Sequence, residues 1–124
     1  MMRTALLIAT SCLLFGTASA DRRIVEQLES SYELVLKDVT LPSGAGGTII
    51  FPECENCSLK SMRVNADTRY LLNGTDLALE DLVRRVADIR RNGTDTNTGV
   101  YVHYEIKTSA VNRVRVIEFP AAAR

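Results

Sequence analysis

The sequence predicts a small α+β fold: a mainly antiparallel sheet with one amphipathic helix (about residues 78–91) packed on one face, and a β-hairpin at the C-terminus. Two periodicities and a pair of turn signals lead there. Leu79, Leu82, Val83, Val86 and Ile89 recur at three- and four-residue steps, whereas Val100, Val102, Tyr104 and Ile106 alternate with Tyr101, His103, Glu105 and Lys107. The string Asn-Gly-Thr-Asp occurs at 73–76 and again at 92–95, so a strong turn signal brackets the helical stretch on both sides.

The helix is consistent at both ends. Glu80 and Asp81 stand in its first turn and Arg90 and Arg91 in its last, which suits the macrodipole. Gly93 fits a left-handed C-terminal cap. Arg84, Arg85, Asp88 and Arg91 fall opposite the apolar stripe and read as a solvated face. The second alternating run, 113–119, completes the hairpin with 100–107. Upstream, Tyr32, Leu34 and Leu36 mark a strand that ends at the glycine-rich stretch 42–47. Short strands follow at 48–51, 60–64 and 69–72. Residues 22–30 are ambiguous: Ile24, Val25 and Leu28 have helical spacing in a stretch too short to decide.

Residues 1–20 have the layout of a secretory signal peptide. Arg3 precedes an apolar run from Ala5 to Phe15, and Ala18-Ser19-Ala20 forms a small-residue cleavage motif before charged Asp21. The run is shorter than the roughly 20 residues of a membrane-spanning helix. It also continues past Cys12, which argues against lipidation there. Cleavage leaves 21–124 as a single small domain without a membrane span, exported to a periplasmic or extracellular space. The full chain balances 15 Lys and Arg against 15 Asp and Glu, and loss of Arg3 barely changes that. Such a balance provides no basic footprint for nucleic acid, so a protein or small-molecule partner is expected.

After cleavage the cysteines are Cys54 and Cys57, in Phe-Pro-Glu-Cys-Glu-Asn-Cys-Ser-Leu. A redox pair needs one thiol whose pKa is lowered by a cation or a helix N-terminus. Here Glu53 and Glu55 flank Cys54, and a strand pattern follows Cys57. A tetrahedral zinc site needs four ligands, and the chain has these two thiols and one histidine, His103, on the outward face of its strand. Copper(I) would accept Cys54, Cys57 and the thioether of Met62, though Met62 alternates into a strand and suits a core. A structural disulfide needs nothing further and fits best. Closing so short a loop is worth about 1.9 kcal/mol in the chain-entropy model.

Weaker signals give no chemistry. Gly44 to Gly47 precedes a strand, whereas a phosphate loop opens a helix. Asp95 to Gly99 resembles half a calcium loop without its closing Glu. Asn56, Asn73 and Asn92 each head a glycosylation sequon that matters only in a eukaryotic secretory route. The lone histidine weakens any triad, so no catalytic residue and no cofactor is assigned. The sequence therefore points to an exported, non-catalytic binding or accessory domain with a CxxC disulfide. The alternative is an exported thiol protein that uses Cys54 and Cys57 for thiol–disulfide exchange or Cu(I) binding.

Overall fold

In the computed structural model of the chain the described residues are 28–120, so residues 1–27, on which the signal-peptide reading and Cys12 fall, lie outside them, as do 121–124. Within 28–120 the elements run β1 (Glu29–Val35), β2 (Thr48–Pro52), β3 (Leu59–Arg63), β4 (Arg69–Leu72), β5 (Thr75–Leu77), α1 (Leu79–Arg91), β6 (Thr98–Glu105) and β7 (Val111–Glu118). Five strands form one sheet in the order β1-β6-β7-β4-β5, and β2 and β3 pair separately. Every pairing is antiparallel except β4 with β7. The expected α+β architecture with its C-terminal β6–β7 hairpin is therefore observed.

Alternation gives the five-stranded sheet two different faces. Val100 pairs with Val116 and Val102 with Val114, and all four side chains are fully buried. On the same face, Tyr70 and Leu72 of β4 extend that surface. Leu82, Val86 and Ile89 of α1 and Ile49, Phe51, Met62 and Val64 of the β2–β3 hairpin close over it in one core cluster. The other face carries His103, Tyr101, Arg113 and Arg115, half-buried and packed side by side.

The turns follow their chemistry. Asn73 (φ 51°) and Gly74 (φ 86°) both take positive φ, as a two-residue type I′ hairpin requires, and they join β4 to β5. The Asn73 side chain is held at both ends by Glu118, whose N–H donates to Oδ1 and whose carboxylate accepts from Nδ2, both at 2.9 Å. After α1, Gly93 (φ 71°) donates to the Arg90 carbonyl and Thr94 to the Ile89 carbonyl, the two bonds of a Schellman cap. The two Asn-Gly copies are thus different turns, a hairpin and a helix stop. Gly99 makes room for a neighbour: a Cβ there would come within 2.9 Å of the Phe119 ring, which would have to shift.

Several expectations need correction. The apolar side of α1 is narrower than its spacing suggests, because Val83 is 40% exposed while Leu82 is at 0%. Ile106 lies beyond the end of β6 and is exposed; a register shift at His103/Tyr104 and the following turn break the alternation. Leu36 is buried in a 3₁₀ turn, Leu36–Asp38, after β1 has ended. Strand β5 has no sequence signal, since three residues are too few to display a period. Of the ambiguous stretch, Glu29 and Ser30 belong to β1, and 22–27 lie outside the described residues.

Truncation on α1 tests this face. Leu82→Ala should cost roughly 2–5 kcal/mol in chemical denaturation, whereas Val83→Ala and Arg85→Ala should each stay within about 0.5 kcal/mol. Equal costs at Leu82 and Val83 would mean that the helix is rotated from this placement.

Candidate functional site

Cys54 and Cys57 sit at the tip of the β2–β3 hairpin, at disulfide distance with their Cα atoms 5.1 Å apart. The Cys57 N–H donates to the Cys54 carbonyl at 3.1 Å, and Asn56 takes φ 64° at the third position. That is a type II turn, with Asn in the position that needs positive φ. Both cysteines are exposed, and β3 rather than a helix follows the pair. Met62 is opposite Ile49 in the ladder and 4% exposed inside the core. The structure therefore does not bring Met62 to the tip with the two sulfurs.

Just below the tip, Glu53 accepts a hydrogen bond from the Tyr32 hydroxyl at 3.1 Å and an ion pair from Lys60 at 3.0 Å. The Lys60 bond, then that from Tyr32, holds the Glu53 carboxyl below its ordinary range, and Glu53 in turn raises Lys60. Both groups are exposed, so the pair contributes little to stability. It does offset part of the negative field that the sequence places beside Cys54, leaving Glu55 as the flanking charge without an ion pair among the described residues. The hairpin is anchored through aromatic contacts: Tyr32 of β1 lies 5.1 Å from Phe51 and is stacked at 5.1 Å on Tyr104. Contacts such as Tyr32–Glu53 span 21 residues, and no local pattern could have announced them.

His103 is on the outward face of its strand, as its alternation predicts, yet it is not exposed. Its side chain is only 13% exposed, with Nδ1 3.4 Å from a Glu29 carboxylate oxygen that also takes Arg113 Nη2 at 2.9 Å. The other carboxylate oxygen of Glu29 accepts from Asn112 at 3.1 Å. Glu29 thereby ties the edge strand β1 to β6 and β7. His103 Nε2 and Arg113 Nε are buried without a hydrogen-bond partner among the described residues. Burial, then the Arg113 charge, pushes the His103 pKa down, only partly offset by Glu29.

An open groove runs between loops 41–45 and 65–68, strands β4 and β5, and the first turn of α1. Leu41, Pro42, Leu77, Leu79 and Val83 give it apolar walls, with Arg69, Glu80 and Arg84 at its rim. Ala78 provides no side-chain cap for α1, so the helix opens beside the groove without one. The glycine-rich stretch forms one groove wall, while Asp95–Asn97 is a 3₁₀ turn with Asp95 near Arg90 at 3.9 Å. Of the sequons, Asn56 and Asn92 are exposed at turns, and the Asn73 amide is occupied by Glu118. Searches against protein-family models, curated proteins and solved structures find no match to this chain.

The His103 environment has a pH signature. Because its folded pKa lies below the ordinary value of about 6.5, the unfolded chain takes up the proton first on acidification. Stability should therefore fall as pH drops below about 6.5, and level off once the folded state is protonated too. His103→Gln should flatten that slope in urea unfolding midpoints measured between about pH 7 and pH 5. An unchanged slope would assign it to other groups.

Proposed function

We propose that this chain is an exported, non-catalytic binding or accessory domain of the cell envelope or secreted space, in which Cys54–Cys57 is a structural disulfide. The observation that carries the reading is the placement of the pair: exposed, across a type II turn, at the end of a hairpin whose other end is built into the core. A bond there stiffens the tip without touching the packing beneath it. A working thiol pair gains reactivity from a helix N-terminus or an adjacent cation. Here a strand follows Cys57, and the nearby cation, Lys60, is engaged by Glu53. Export is supported by the leader-like composition of residues 1–20. The partner class in keeping with the neutral charge balance is a protein segment or a small molecule, and the apolar groove beside α1 is the surface best shaped to receive it.

The reduction potential of the pair separates this reading from a thiol-active one. A structural disulfide should lie below about −300 mV, and a catalytic pair nearer −120 to −200 mV. Replacing both cysteines by serine should cost about 1–2 kcal/mol and leave the circular dichroism spectrum unchanged. A potential in the oxidising range would contradict the proposal, as would tight Cu(I) uptake by the reduced protein that Met62→Leu weakens.

A further inference from the structure

We infer that the free edge of β1 is a self-association surface, on which a second copy of this chain pairs through its own β1. The sheet has two edges. One is β5, three residues long; the other is β1, seven residues long and paired only with β6. Among the described residues no backbone hydrogen bond reaches 29–35 from any element except β6. Long edges are ordinarily guarded by proline, lysine, a bulge or free charges. In Glu-Ser-Ser-Tyr-Glu-Leu-Val the register is continuous, proline and lysine are absent, and the Glu29 carboxylate is drawn inward onto Arg113 and Asn112. Glu33 alone remains as a guard.

The charges admit a second copy of β1, and in one register. Two β1 strands related by a two-fold axis perpendicular to the sheet must meet antiparallel, with partners of the same parity so that each face is continuous. An axis through Ser31 would place Glu33 opposite Glu29, and an axis through Glu33 would place the two Glu33 side chains together. Like charges directly opposite are unfavourable. The axis through Tyr32 avoids both clashes and also gives the longest overlap. Glu29 then faces Val35, Ser31 faces Glu33, Ser30 faces Leu34, and Tyr32 faces its own copy. Tyr32 is already fixed in place by Phe51, Tyr104 and its bond to Glu53, so presenting it costs little side-chain freedom. The product is a continuous ten-stranded sheet across two copies, with the disulfide-tipped hairpins on the same side.

Ser31 is exposed and tests the register in both directions. In the dimer, Ser31→Glu creates two symmetry-related Glu–Glu contacts with Glu33, and Ser31→Lys creates two Lys–Glu contacts. The experiment is sedimentation velocity on the mature full-length protein at pH 8, from micromolar to millimolar concentration, with circular dichroism to confirm folding. Wild type should reach a dimer. Ser31→Glu should weaken it roughly three- to tenfold and Ser31→Lys should tighten it, with both shifts shrinking in 1 M salt. A wild type that stays monomeric at millimolar concentration would leave the edge to some other strand and overturn the proposal. A dimer that responds to neither variant, or to both in the same direction, would place the interface elsewhere and overturn it equally.

Discussion

Val100, Val102, Val114 and Val116, set side by side by the pairing of β6 with β7, are buried completely beneath α1 and the β2–β3 hairpin, and that paired surface decides where everything else can go. A strand presents alternate residues to opposite faces, so burying these four commits Tyr101, His103, Arg113 and Arg115 to the other side. β1 docks on the free edge of β6 and β4 on the free edge of β7, each continuing the apolar surface with Tyr32, Leu34, Tyr70 and Leu72. The helix and the β2–β3 hairpin then share one surface as lids. Slipping β7 by one residue against β6 would turn Arg113 and Arg115 into the core in place of Val114 and Val116.

The polar consequences fall on the uncovered face. An antiparallel sheet can leave one face to water, but this one does not leave its charges idle. Glu29 gathers His103, Arg113 and Asn112, Arg69 pairs with Asp76, and Arg115 lies 5.6 Å over the Tyr101 ring. Each contact joins strands of the sheet, Glu29 reaching past β6 to β7, and is modest singly. Their common effect is to hold the edges β1 and β5 against the valine-bearing pair. Cys54 and Cys57, at disulfide distance, stand outside this system, on a turn whose strands are already anchored by Phe51, Ile49 and Met62, and the proposed bond would act there. It is a local constraint, in keeping with the small entropy of so short a loop.

What was legible in the sequence was local. The period of α1, its charged ends, the Gly93 stop and the alternation of β6 and β7 all depend on neighbours within a few residues, and the structure has them. Val83 and Ile106 misled because periodicity identifies a face but not its width or its end. Partition into two sheets and the parallel pairing of β4 with β7 depend on contacts some forty residues apart, which no window contains. The same limit hid the surroundings of the cysteines. Cys54 and Cys57 were conspicuous, yet Tyr32, which anchors their hairpin, and Lys60, which neutralises Glu53, look like ordinary strand residues. The alternation of β6 gives the face of His103 but not its burial, which comes from Glu29 and Arg113 on other strands.

If the β6–β7 valine surface is the base of the fold, its amides should open only with global unfolding. Native-state hydrogen exchange on the oxidised protein measures this residue by residue. The account predicts the highest protection at Val100, Val102, Val114 and Val116, lower protection in α1 and β2–β3, and the least at β5 and the Cys54–Cys57 turn. Early exchange in β6 and β7 while α1 or the β2–β3 hairpin stays protected would contradict it.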